Sequence, residues 1–246
     1  GATFLAPVPL LPQTVRFAQP VGTTVYFAGL GVTGSVEIWR TDGTVAGTRL
    51  VSTLPDGVPL FGFSVLGSGA LGSNLYFSAG EYNEFGTDGE LWRIGSNVDG
   101  GETAALFKDL IAGDAGSGPF NFTSFGSFLY FFADTRPTDD EQRPIRALWR
   151  TDGTTAGTIP VIDAEDDDSS YAHYSGALVP FAGDLLFPAG YGENLEIWGT
   201  DGTAAGTNER LAIAEGRAGS YPEALTVVGD NLFFIADDGT HGRELW

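Results

Sequence analysis

The densest chemistry in the sequence lies in Asp163-Ala164-Glu165-Asp166-Asp167-Asp168-Ser169-Ser170-Tyr171-Ala172-His173-Tyr174. Carboxylates packed this closely repel one another unless water or a cation separates their charges. Hard oxygen donors suit calcium, and Asp163, Asp166 and Asp168 are the candidate ligands. A solvated acidic loop and a contact for a basic partner are the competing readings. Tyr171 and Tyr174, flanking His173 with Ala172, offer rings that stack on a sugar or pack against a partner. A second polar stretch, Thr135 to Arg146, places Asp139, Asp140 and Glu141 among Arg136, Arg143 and Arg146. A third, Glu81 to Phe85, carries Tyr82.

Other acids recur at fixed places. Asp42, Asp152 and Asp201 each precede Gly-Thr, and an Asp before Gly caps a turn through nearby backbone N–H groups. They read as turn caps rather than calcium ligands, because their loops lack the dense acids of a calcium loop. Glu37, Glu90, Glu196 and Glu244 each stand two residues before a tryptophan. They read as blade-to-blade hydrogen-bond partners, with Arg40, Arg93 and Arg150 as their counterparts. No pair of acids is singled out as a glycosidase requires. The histidines, His173 and His241, lie in different repeats, and neither a Gly-x-Ser-x-Gly elbow nor His-Glu-x-x-His occurs. No catalytic residue is assigned, and a binding module is favoured over an enzyme.

The elements that carry these residues follow from a repeat. All five tryptophans share one context: Glu37-Ile38-Trp39, Glu90-Leu91-Trp92, Ala147-Leu148-Trp149, Glu196-Ile197-Trp198 and Glu244-Leu245-Trp246. Their spacing of roughly 50 residues suits a four-stranded propeller blade. An aromatic strand precedes each tryptophan, as in Tyr26-Phe27-Ala28-Gly29 and Tyr130-Phe131-Phe132-Ala133. These strands are apolar at successive positions, so both of their faces need cover. The expected fold is all-β: a five-bladed β-propeller of four-stranded antiparallel blades, labelled a to d, with the tryptophans wedged between blades. The blades fall at about 13–54, 62–110, 121–163, 177–213 and 224–246. The last is completed by residues 2–8, so that pairing of the N-terminal strand with the C-terminal blade closes the ring and removes two sheet edges. In such a meander the d-to-a and b-to-c loops share one face, and sequence variation concentrates there.

Composition narrows the partners. The chain has 246 residues, 42% of them hydrophobic, and a formal net charge of −20. Nucleic acid and anionic membranes are repelled by that charge. Without cysteine, disulfides and thiolate sites are excluded. No apolar run approaches the length of a membrane span, and the first residues show no basic start leading into an apolar stretch.

The stretches Glu-Ile-Trp-Arg-Thr-Asp-Gly-Thr-Val-Ala-Gly-Thr (37–48) and Glu-Ile-Trp-Gly-Thr-Asp-Gly-Thr-Ala-Ala-Gly-Thr (196–207) resemble the ELWxxDGT repeat of large bacterial exported and surface proteins, often termed hyalin-like. The register covers nearly the whole chain. The third copy departs at Ala147, and the second replaces the loop with Arg93 to Gly101. The resemblance implies an extracellular or cell-surface bacterial setting and leaves the activity open. The expected role is adhesion or protein binding through the d-to-a and b-to-c loops, with a carbohydrate-binding lectin as the alternative. The expected assembly is a monomeric ring or one domain of a larger protein.

Overall fold

The computed structural model describes residues 14–54, 67–80, 82–83, 86–87, 89–96, 101–113, 116–135, 146–161, 177–191, 194–214 and 219–246. All secondary structure among them is β. By packing, the chain divides into two units, Gly1–Ser124 and Phe125–Trp246.

In the first unit, β1 (Thr14–Val21), β2 (Thr24–Leu30), β3 (Val36–Thr41) and β4 (Arg49–Thr53) form an antiparallel meander. A second meander consists of β5 (Ser68–Leu71), β6 (Asn74–Ala79), β9 (Glu90–Ser96) and β10 (Glu102–Lys108). A small hairpin of β7 (Tyr82–Asn83) and β8 (Gly86–Thr87) interrupts it between its middle strands. β11 (Phe120–Phe125) is the first strand of a third sheet, which continues through β12 (Phe128–Asp134), β13 (Arg146–Thr151) and β14 (Ile159–Pro160). In the second unit, β15 (Val179–Phe181), β16 (Asp184–Tyr191), β17 (Asn194–Thr200) and β18 (Asn208–Leu211) form the fourth. β19 (Glu223–Val228), β20 (Asn231–Asp237) and β21 (Arg243–Leu245) form a three-stranded fifth. Consecutive up-and-down meanders of this kind are the blades of a β-propeller.

The turn between the first two strands of a blade is set by glycine. Gly22 and Gly229 both sit at φ +60, a conformation that costs most residues energy through their Cβ. The second strands are the core. Leu129 to Ala133 in β12 are each at most 1% exposed, as expected for a strand covered on both faces. In the first unit, Ile38, Leu75, Phe77 and Ile94 belong to one buried cluster.

One cross-strand pair recurs in every sheet. Phe27 faces Trp39, Phe77 faces Trp92, Phe131 faces Trp149, and Phe187 faces Trp198. Phe234 and Trp246 exchange both backbone hydrogen bonds. The pair fixes strand register in each repeat, because a one-residue slip would turn both rings to the wrong face. Trp39, Trp149 and Trp198 are buried, as expected, whereas Trp92 is only half-buried. Trp246 is a correction: it is 43% exposed. No fourth strand lies beside β21 among the described residues. The segment expected to supply that strand, residues 2–8, lies outside the described residues.

Candidate functional site

The Asp-Gly-Thr loops are closed by their own side chains. In the first, Asp42 Oδ1 accepts from the Thr44 N–H (2.9 Å) and the Thr44 hydroxyl (2.7 Å). The Gly47 N–H donates to Thr44 Oγ1, and the Thr48 hydroxyl donates to the Thr44 carbonyl. The Thr41 and Thr48 hydroxyls lie 2.7 Å apart. The same bonds recur around Asp152 and Asp201. Donation from the threonine hydroxyl, then from its N–H, holds all three aspartates below the usual carboxylate pKa. This is the turn-capping role. It also explains the final glycine of the motif, since a Cβ at Gly157 would fall on the Asp152 carboxylate. Gly157→Ala is therefore expected to destabilise the protein by about 1–3 kcal/mol, read from urea unfolding.

The repeated glutamate has a different partner from the one expected. Glu90, at the start of β9, accepts from the Leu110 N–H (2.7 Å), the Ser117 N–H (2.8 Å) and the Ser117 hydroxyl (2.9 Å). Those residues form the linker from β10 to β11. Glu196, 1% exposed in β17, does the same for the linker from β18 to β19. It accepts from the N–H groups of Ile213, Ala214 and Ser220 and, at 2.5 Å, from the Ser220 hydroxyl. Ser220 then accepts through its carbonyl from Asp237 N–H in the next sheet. The glutamate thus staples the connection between consecutive sheets. Burial pushes Glu90 up to about 7 despite its donors. Glu37 accepts instead from the Trp39 indole N–H.

The arginines go elsewhere. Arg40 and Arg49 both bind Glu102, at 2.8 and 2.5 Å, and the Tyr26 hydroxyl donates to the same carboxylate at 2.6 Å. Desolvation, then the hydrogen bond to Glu102, raises Tyr26 to about 12. Tyr26, Arg40 and Glu102 line a cleft of about 360 Å³ beside the turns at Gly22 and Gly72, on the a-to-b side of the first two sheets. All acceptor positions of Glu102 are taken by protein donors, so this cluster locks one sheet to the next. Arg93 covers the Phe107 ring at 4.7 Å. Arg150 covers Phe128 at 4.3 Å and donates to the Gly202 carbonyl of the following sheet.

In the loop between β20 and β21, Asp238 Oδ1 accepts from the N–H groups of Thr240 and His241. Its Oδ2 lies 2.7 Å from His241 Nδ1. These contacts, the backbone N–H of His241 first, lower Asp238 to about 2, and the carboxylate in turn raises His241. Neither residue was among the expected binding positions. The signal available was a histidine three residues after an acid and three before another.

Of the expected site residues, Asp139, Asp140, Glu141, Asp163, Asp166, Asp168, Tyr171, His173 and Tyr174 lie outside the described residues. Tyr82 lies in β7, where only the backbone is described.

No family model matches the chain, and no curated protein matches it. Among solved structures, the fold is similar to a Mycobacterium tuberculosis puromycin-hydrolyzing peptidase, with TM-score 0.53 and 14% identity over 94% of this chain and 38% of that one. A puromycin hydrolase gives TM-score 0.51 and 14% identity over 92% of this chain and 36% of that one. The β-propeller domain of the Trilobed protease from Pyrococcus furiosus gives TM-score 0.48 at 13% identity, over 95% of this chain and 66% of that domain. The chain thus spans little more than a third of the first two proteins. Likeness at such identity defines a shared fold alone. No helix among the described residues is long and apolar enough to cross a membrane.

Proposed function

We propose that the chain is a binding module of the ELWxxDGT type. In this reading it is a five-bladed propeller closed by residues 2–8 alongside β21. It presents its d-to-a and b-to-c loops to a protein or surface ligand outside a bacterial cell.

One observation carries the reading. The glutamate that staples the linker after the second and fourth sheets is Ala147 in the third. The linker that follows Ala147 is the acidic stretch holding Asp163, Asp166, Asp168, Tyr171, His173 and Tyr174. A linker without its staple is released from the sequence that the staple demands, and irregular loops on a rigid scaffold are where binding residues gather. The repeated aspartates support the same division of labour, since their carboxylates are engaged in their own turns.

The test replaces residues 162–176 with the linker of the second sheet, residues 109–119, together with Ala147→Glu. The hybrid is expected to keep its circular dichroism and a melting temperature at or above that of the parent. It is also expected to lose the calcium heat that the parent gives on isothermal titration. No calcium heat from the parent removes the metal half of the proposal. A glycan-array signal lost on Tyr171→Ala and Tyr174→Ala makes the module a lectin. A partner or glycan seated on the Asp-Gly-Thr turns overturns the assignment of face.

A further inference from the structure

The loop leading into β21 brings Asp238, His241 and Glu244 together, with one ligand atom of each within 4.8 Å of the others. We propose that these three side chains bind a first-row transition metal ion, zinc above all, at the b-to-c end of the fifth sheet.

The donor set makes the choice of metal. One imidazole nitrogen with two carboxylates is a borderline-soft set that zinc accepts, leaving a fourth position for water. Calcium and magnesium favour oxygen alone, so the imidazole separates this site from the acidic stretch at 163–168. The distances fit. Zinc bonds nitrogen and oxygen at about 2.0–2.2 Å, so the 2.7 Å between His241 Nδ1 and Asp238 Oδ2 is spanned by an ion at an angle of about 80°. A small outward shift of the exposed imidazole opens that angle toward tetrahedral.

The third ligand is supplied by a change in the use of a repeated residue. Glu244 occupies the register of Glu90 and Glu196, whose carboxylates are consumed by linker donors. In β21 the glutamate is exposed, with no linker donor on it among the described residues. The acids at this position in the other sheets have no histidine three residues before them: the corresponding residues are Gly34, Thr87 and Glu193. The combination is therefore particular to the fifth repeat, and Asp238, held by two backbone N–H groups, is already fixed on the loop.

Isothermal titration of the full chain with zinc chloride, beside a parallel calcium titration, tests the proposal. One saturable zinc site in the micromolar range is expected. Affinity should fall at least about tenfold on His241→Ala and on Glu244→Gln, with circular dichroism and melting unchanged because both side chains are exposed. Cobalt(II) in place of zinc should give visible d–d bands that vanish in His241→Ala. Absence of saturable zinc binding overturns the proposal. So does zinc binding of equal strength in His241→Ala, which would place the ion on the acidic stretch instead.

Discussion

Trp198→Ala is expected to destabilise the protein by about 3–5 kcal/mol, while Trp246→Ala costs less than about 1.5 kcal/mol. The two residues occupy the same repeat position and face the same partner type, so the difference isolates burial. Trp198 is 7% exposed and sits opposite Phe187, itself 2% exposed. Truncation there removes indole contacts and leaves a cavity in a core with little room to collapse. Trp246 is 43% exposed and already leaves much of its ring in water. Guanidinium unfolding followed by far-ultraviolet circular dichroism measures both. Equal losses would mean that the fifth tryptophan is packed like the others, and that a strand beside β21 covers it in solution.

The repeat was legible because its signals are local. A Phe–Trp pair needs only its two strands, and an Asp-Gly-Thr turn closes within eight residues through bonds among Thr41, Asp42, Thr44, Gly47 and Thr48. Each motif position therefore shows in the sequence with its reason attached. The glutamate was legible as a position but not as a contact. Its donors lie on a linker 17 to 24 residues further along the chain at Glu196, beyond any local pattern. A trace of them was present: Ile111-Ala112 with Gly116-Ser117-Gly118-Pro119 recurs as Ile213-Ala214 with Gly219-Ser220-Tyr221-Pro222.

Pairing the glutamates with arginines three residues on fails for a reason that strand geometry supplies. Side chains on a strand alternate faces, so an odd spacing puts Glu90 and Arg93, or Glu37 and Arg40, on opposite sides. Arg40 accordingly meets Glu102 from the second sheet, and Glu37 meets Trp39, two residues away on its own face. The candidate metal ligands were illegible for a related reason. Asp238, His241 and Glu244 converge only because positive φ at Gly239 and Gly242 folds the loop back on itself. Spacing along the chain does not reveal that return.

The glutamate staple predicts the second large effect. Glu196→Ala is expected to cost about 3–5 kcal/mol, comparable with breaking a buried ion pair, because it strands several donors at once. The N–H groups of Ile213, Ala214 and Ser220 and the Ser220 hydroxyl all converge on this one carboxylate. Water cannot reach them readily, since Ser220 is fully buried and Glu196 is 1% exposed. Glu196→Gln retains the shape and one acceptor but turns an amide N–H toward a backbone N–H, so a smaller loss of about 1–3 kcal/mol is expected. Glu244→Ala, at the same register but exposed, is expected to change stability by under about 0.5 kcal/mol. Hydrogen exchange separates a staple from general core loss. Amides of Ala214 and Ser220 should exchange faster in Glu196→Gln, while the β16–β17 ladder from Leu185 to Gly190 keeps its protection. Uniform acceleration across that ladder would mean that the carboxylate stabilises its own sheet rather than the link to the next. The role of Ala147 in releasing the third linker would then lose its physical basis, because a residue that never held a linker cannot free one by its absence.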